Sequence, residues 1–232
     1  MEQLPGGYEL QIPQGCFPLS TDSMALADFV KLPRNARVLD LGSGCGSLGI
    51  LLCAKDSGCQ VTGIEITETA HRAAVRNIER NHLEGRMNSL CRDLRQVPSF
   101  LTPGSFQVCI SNPPYFSGGP ASKALKDARR EDLCSTQALF SGAAWALKFG
   151  GDFFLVHRPE RMGELMGEGA KLGFSCKQLT LLRHRQDGPV CLVLLSFRKG
   201  GKPGLILKEA SLFDSQGNET EDYIRIYHME EG

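Results

Sequence analysis

No apolar run in the 232-residue chain approaches the roughly 18 residues needed to span a membrane, so a membrane protein is not expected. The amino terminus, Met1-Glu2-Gln3-Leu4-Pro5-Gly6-Gly7, lacks both a basic start and an apolar stretch, which speaks against a secretory signal. Nine cysteines are present, yet no two form a Cys-x-x-Cys pair, and Cys53, Cys109 and Cys191 sit inside apolar runs. That pattern argues against a zinc ribbon or disulfide frame and suits reduced cysteine used as a small hydrophobe, as in a cytoplasmic protein. No metal-ligating cluster and no Ser/His/Asp set stands out, so neither a bound metal nor hydrolase chemistry is expected. Internal repeats and domain linkers are absent too, and residues 1–232 read as a single domain.

Net charge is missing as well, with 26 bases against 26 acids, but the charges are unevenly placed. Residues 209–232 hold seven acids and one base, which leaves 25 bases against 19 acids in residues 1–208. A moderately basic body with an acidic tail permits nucleic-acid binding without demanding it.

What is present has the look of an α/β fold. Hydrophobic content of 41% and charged content of 22% are ordinary for a globular domain. An apolar strand, Arg37-Val38-Leu39-Asp40-Leu41, runs into Gly42-Ser43-Gly44-Cys45-Gly46, and Ile50 to Lys55 continues as a helix. Glycines there let the backbone turn sharply and let a ligand approach the main chain. Gly44-x-Gly46-x-x-Gly49 also fits a dinucleotide fingerprint, a weak signal by itself. Asp40 tilts the reading, because an acid before the first glycine suits a ligand ammonium and repels a pyrophosphate. The next strand, Gln60 to Glu65, ends in an acid that can accept both hydroxyls of a ribose. Thr67 or Thr69 is expected to cap a helix whose buried face carries Ala70, Ala74, Ile78 and His82. A weaker strand at Met87–Cys91 leads to Asp93, alone a solvated loop acid, but in register with Asp40 and Glu65 a candidate partner for a ligand's base.

A fourth strand, Phe106 to Ser111, is stopped by Asn112-Pro113-Pro114-Tyr115. Prolines lack the backbone donor, fix φ and disfavour helix in the preceding residue, so the chain leaves the strand stiff and extended. In an open α/β sheet, ligands bind at that carboxyl edge. Residues 116–130 follow with four bases, Lys123, Lys126, Arg129 and Arg130, against one acid, which suits a phosphate-bearing substrate. A helix is expected from Glu131 to Leu147 with a glycine cap at Gly150-Gly151, then a strand from Asp152 to His157 and a helix opened by Pro159. Strands at 176–182 and 190–198, joined by a short turn, make the last of seven antiparallel to its neighbour. Residues 205–208 read as an edge strand. Upstream, Ser20-Thr21-Asp22 signals a helix start, where Thr21 and Asp22 read first as caps.

These ordered motifs, from Leu39-Asp40-Leu41-Gly42-Ser43-Gly44-Cys45-Gly46 through Glu65, Asp93 and Asn112-Pro113-Pro114-Tyr115, resemble those of class I S-adenosylmethionine-dependent methyltransferases. The tetrad resembles the branch that methylates amino groups, including N6-adenine methyltransferases and the glutamine methyltransferases of release factors. Ser20-Thr21-Asp22-Ser23, Val156-His157-Arg158-Pro159-Glu160-Arg161 and Ser215 to Glu221 are similar to the small bacterial tRNA N6-adenine methyltransferases, which act on adenosine 37 of valine tRNA. The resemblance implies a Rossmann-like, doubly wound, seven-stranded sheet with its last strand antiparallel. It implies S-adenosylmethionine held by Thr21, Asp22, Asp40, Gly42, Gly44, Gly46, Glu65, Ile66, Asp93, Leu94 and Asn112. Asn112, Pro113, Pro114 and Tyr115 would clamp the methyl-accepting amine. The tRNA would be held by Phe116, Lys123, Lys126, Arg129, Arg130, Arg158, Arg161, Arg183 and Arg185, with His157 either structural or an RNA contact. Residues 1–35 would cover the site, residues 203–232 would form an acidic extension, and a monomer is favoured.

Other functions have weaker support. A glutamine methyltransferase usually carries an extra N-terminal helical domain, whereas about 35 residues precede the first glycine-loop strand here. An rRNA or DNA N6-adenine methyltransferase shares the cofactor motifs and the Asn112-Pro113-Pro114-Tyr115 tetrad. An NAD-dependent oxidoreductase would use the glycines but not Asn112 to Tyr115, and a purely binding module would need no intact tetrad.

Overall fold

The computed structural model describes residues 1–114 and 135–227. Tyr115, Phe116, Lys123, Lys126, Arg129 and Arg130, all expected in the site, lie outside the described residues.

A short hairpin of β1 (Glu2–Gln3) and β2 (Glu9–Leu10) precedes α1 (Thr21–Phe29). Then come β3 (Arg37–Leu41), α2 (Ser47–Lys55), β4 (Gln60–Glu65), α3 (Glu68–Arg80), β5 (Met87–Cys91), α4 (Val97–Phe100) and β6 (Phe106–Ser111). The described chain continues with α5 (Thr136–Ala146), β7 (Leu147–His157), α6 (Met162–Lys171), β8 (Phe174–Arg185), β9 (Val190–Lys199), β10 (Ile206–Phe213) and α7 (Glu221–Tyr227). The main sheet runs β10-β8-β9-β7-β6-β3-β4-β5. Only β9 opposes its neighbours, pairing antiparallel with both β7 and β8. This is the expected doubly wound sheet with an eighth strand added at the edge, because the apolar run at 205–208 extends to Phe213 and pairs in parallel with β8.

One face packs α1, α2 and α7 over Val38, Ile110 and Val156, and the other packs α5 and α6 over Leu39, Phe153 and Leu195. Phe140 of α5 sits edge-on against Phe153, Phe174 and Phe197, with ring centroids 5.2, 5.6 and 5.0 Å apart. The carboxyl-terminal stretch is part of this core. Leu212 and Ile226 are buried, and Phe213, Tyr223 and Tyr227 stack in sequence.

Two local expectations fail. The helix before β7 ends at Ala146, and Gly150 (φ +76°) lies inside β7, where the pairing with β6 shifts register. A Cβ on Gly151 would come within 2.9 Å of the Gln107 carbonyl, so the glycine pair marks a bulge rather than a helix cap. His82 is exposed at φ +54° beyond the end of α3, and Ala73 and Asn77 complete the buried face instead.

Candidate functional site

Parallel pairing sets the site's geometry. Asp40 is level with Gly63 on β4 and Ile110 on β6, and Glu65 is level with Cys91 on β5. Asn112 and Glu65 therefore lie two residues beyond the Asp40 row, and Asp93 two beyond Glu65. All four acids and amides reach the carboxyl edge. A cleft of about 350 Å³ opens there, lined by Asp22, Ser23, Asp40, Gly42, Ser43, Gly44, Glu65, Ile66, Leu94, Asn112, Pro113 and Pro114 among others.

The glycine turn is fastened to its surroundings. The Gly42 and Ser43 N–H groups donate to the Ile64 carbonyl at 3.0 and 2.9 Å, and the Ser111 hydroxyl donates to the Leu41 carbonyl at 2.8 Å. Gly44 (φ +56°) sits in the turn itself. Gly46 is off the cleft lining and starts α2, and Gly49 serves packing, since a Cβ there would lie 2.5 Å from Met87 Cε. Glu65 accepts from the Gly44 N–H at 3.0 Å and from the Thr67 N–H at 2.7 Å, one on each oxygen. Each oxygen keeps lone pairs for a ligand diol.

Asp40 is 1% exposed, and its Oδ2 has no hydrogen-bond partner among the described residues; the same holds for the buried Ser43 hydroxyl. Burial, with the nearby Glu65 charge, pushes the Asp40 carboxyl up to about 8. A buried, unpaired carboxylate opening on a cleft calls for a cationic ligand, because an orphaned buried charge is costly. Asn112 Nδ2 donates to the Ser23 hydroxyl at 3.0 Å, which links the end of β6 to α1.

The covering segment is held by two asparagines one helical turn apart on α3. Asn77, fully buried, accepts from the Gln11 N–H at 2.9 Å and donates to the Gln11 and Cys45 carbonyls at 3.0 Å each. Asn81 brackets Glu9 in the same way at 2.8 and 2.7 Å. The chain that follows brings Gly15, Cys16, Phe17 and Pro18 to the cleft. Neither asparagine carried a sequence signal beyond its polarity.

Besides Gly46, two expected cofactor residues differ in place, and His157 takes the structural one of its two expected roles. Thr21 is not on the lining; its hydroxyl bonds the Tyr227 hydroxyl at 2.6 Å, while Asp22 and Ser23 line the cleft. The Asp93 carboxylate caps the turn at Leu94–Gln96 and is held below the usual carboxylate range by Arg95, whose guanidinium grips both oxygens. Arg92 and Leu94, not Asp93, line that side. His157 is buried, accepts from the Arg158 N–H at 2.8 Å, and is pushed down to about 4 chiefly by burial. It is neutral at physiological pH and is not a surface cation for RNA. Arg158 and Arg161 follow β7, and Arg183 and Arg185 end β8, so all four share the cleft's edge of the sheet. Arg161 pairs with Glu164 at 2.7 Å, Arg183 donates to the Gly188 carbonyl, and Arg185 to that of Ser215.

The profile of the methyltransferase small domain matches residues 19–168. The chain belongs to that methyltransferase family. A tRNA1(Val) (adenine(37)-N6)-methyltransferase of Photobacterium profundum is 25% identical over 218 residues, which is 91% of this chain and 90% of the relative. The protein of the same description from Shewanella woodyi is 30% identical over 72% of this chain and 70% of the relative. Among solved structures, one described as a predicted O-methyltransferase from Agrobacterium tumefaciens superimposes with a TM-score of 0.75 at 21% identity, covering 88% of this chain and 94% of that one. At that identity the likeness speaks for the fold, and it agrees with the sheet described above.

Proposed function

We propose that this methyltransferase transfers a methyl group from S-adenosylmethionine to the exocyclic N6 of adenosine 37 in valine tRNA, in the cytoplasm. The observation that carries the reading is Asn112-Pro113-Pro114 at the end of β6, in the same cleft as the unpaired Asp40 carboxylate. Relatives with that substrate in their names, matched along most of both chains, support it.

The residues fit the cofactor. Asp40 meets an ammonium, Glu65 has lone pairs for two ribose hydroxyls, and Ile66 and Leu94 offer apolar walls to a base. When bound, S-adenosylmethionine supplies an electrophilic methyl group. The chain's own work is to aim the amine. An adenine N6 lone pair is delocalised into the ring and is a poor nucleophile. The Asn112 side-chain oxygen and the Pro113 carbonyl accept the two N6 hydrogens and draw the nitrogen toward tetrahedral geometry. Catalysis is then chiefly positioning, and no strong base is needed before transfer. Tyr115, outside the described residues, would stack on the extruded base as the tetrad's resemblance implies, a contact of about 1–3 kcal/mol. Arg158, Arg161, Arg183 and Arg185 offer the phosphate-facing surface.

The test is transfer of labelled methyl to total tRNA from a strain lacking the gene, followed by nucleoside mapping. Labelled N6-methyladenosine at position 37 of valine tRNA is expected. Label found only in protein would favour glutamine methylation and overturn the reading.

A further inference from the structure

We propose that Cys16 and Cys45 are a redox pair, and that a disulfide between them closes the covering segment onto the cofactor cleft. The proposal goes beyond methyl transfer and holds whichever amine is the acceptor.

The two cysteines stand far apart in the sequence, and the fold brings them together. Cys16 is half-buried on the covering segment, Cys45 is 4% exposed in the glycine turn, and both line the cleft. Their thiols share a hydrogen bond. The two sides of this contact differ in freedom. Cys45 is pinned, because its carbonyl accepts from the buried Asn77 amide at 3.0 Å. Cys16 ends a short turn, its N–H donating to the Pro13 carbonyl at 3.1 Å beside Gly15 at φ +89°. A disulfide sets its sulfurs about 2 Å apart, closer than any hydrogen-bonded pair of thiols. Forming it therefore draws Cys16 toward the glycine turn, and with it Phe17 and Pro18, which line the same cleft. Room for the cofactor shrinks, and the segment can no longer swing aside to admit it. In a reducing compartment such a bond is transient, which suits a switch rather than a staple.

The oxidant is hydrogen peroxide. The more accessible Cys16 sulfur attacks it, the O–O bond breaks, and Cys16 becomes a sulfenic acid as one water leaves. The Cys45 sulfur then attacks Cys16, S–S forms as S–O breaks, and the Cys45 proton leaves with the oxygen as a second water. Two thiols give up two electrons, and one peroxide takes them. Burial, and after it Cys16, push the Cys45 thiol up to about 12, so Cys45 reacts second. Cys53 and Cys59 also share a hydrogen bond, but both are buried off the cleft lining and would only join the end of α2 to the start of β4.

Full-length protein is treated with hydrogen peroxide, alkylated and mapped by mass spectrometry, and S-adenosylmethionine affinity is read by calorimetry before and after oxidation. A linked Cys16–Cys45 peptide is expected. Affinity should fall by about 5- to 150-fold, the usual range of coupling between sites, and return with dithiothreitol. Each protein is compared with its own reduced form, and in Cys16→Ser peroxide should leave affinity unchanged. The coupling is reciprocal, so in a glutathione redox buffer saturating S-adenosylmethionine should shift the pair toward dithiol by the same factor. Absence of the linked peptide, a disulfide with unchanged cofactor affinity, or an equal loss in Cys16→Ser would overturn the proposal.

Discussion

The Gly44 backbone N–H donates to Glu65 Oε2 at 3.0 Å, so the turn that receives the ligand is braced by the acid that ends the next strand. On the proposed reading the same carboxylate, already the loop brace, would also accept the ribose hydroxyls. Glu65→Ala should weaken S-adenosylmethionine binding by about 1.5–3 kcal/mol, the range for hydrogen bonds to a charged group. Glu65→Gln should do nearly as badly, because its NH2 group would face either the Gly44 or the Thr67 donor. Titration calorimetry on both variants checks this, and an unchanged affinity for Glu65→Gln would refute the double role.

Asp40 gives a pH signature. With the carboxyl pushed up to about 8 by burial and the Glu65 charge, the ligand-free cleft is largely protonated at neutral pH. An ammonium binds the ionised form, so affinity should rise up to tenfold per pH unit below that value. Above it the ligand's own α-amino group, with a pKa of about 8, loses its charge. Cofactor affinity measured from pH 6 to 9.5 should pass through a maximum near 8, and Asp40→Asn should remove the acid limb. Ligand-free stability has the opposite trend. The folded state keeps a proton that the unfolded chain releases above 3.8, so stability falls as pH rises from there toward 8, and less so in Asp40→Asn.

The strands, the glycine turn and the acid-ended edge were legible because buried parallel strands leave continuous apolar runs broken by glycine and proline. What escaped the sequence depended on distant partners. Ser23 and Thr21 share one helix-start signal, yet one meets Asn112 and the other Tyr227, 89 and 206 residues away. Asp93 has the spacing of a base-binding acid, but Arg95, two residues on, engages both of its oxygens. Gly150-Gly151 after a helical run looks like a cap until β7 is seen to start at Leu147.

Asn77 is the hidden anchor of the cleft. Its buried amide joins Gln11 of the covering segment to the Cys45 carbonyl of the glycine turn. Asn77→Ala leaves the Gln11 N–H and two carbonyls without that partner, a loss of about 1–3 kcal/mol for each group that stays buried and unsatisfied. A melting temperature lowered by several degrees is expected, with faster amide exchange at Gln11 and weaker cofactor binding. Normal exchange at Gln11 would show that Asn81 alone holds the segment.

Arg158 separates nucleic-acid binding from cofactor binding. It stands at the cleft's edge of the sheet, after β7, and its guanidinium reaches the Cys191 carbonyl at 3.3 Å without touching Asp40 or Glu65. If it contacts a phosphate, Arg158→Ala weakens tRNA binding and lowers the slope of log affinity against log salt by about 1. S-adenosylmethionine affinity should not move. Arg183 and Arg185 make poorer probes, since each also ties its own hairpin to a backbone carbonyl and its removal would disturb β8 and β10 together. A salt slope unchanged in Arg158→Ala would remove this arginine from the tRNA surface and shift the contact toward Arg161, whose Glu164 partner must then yield.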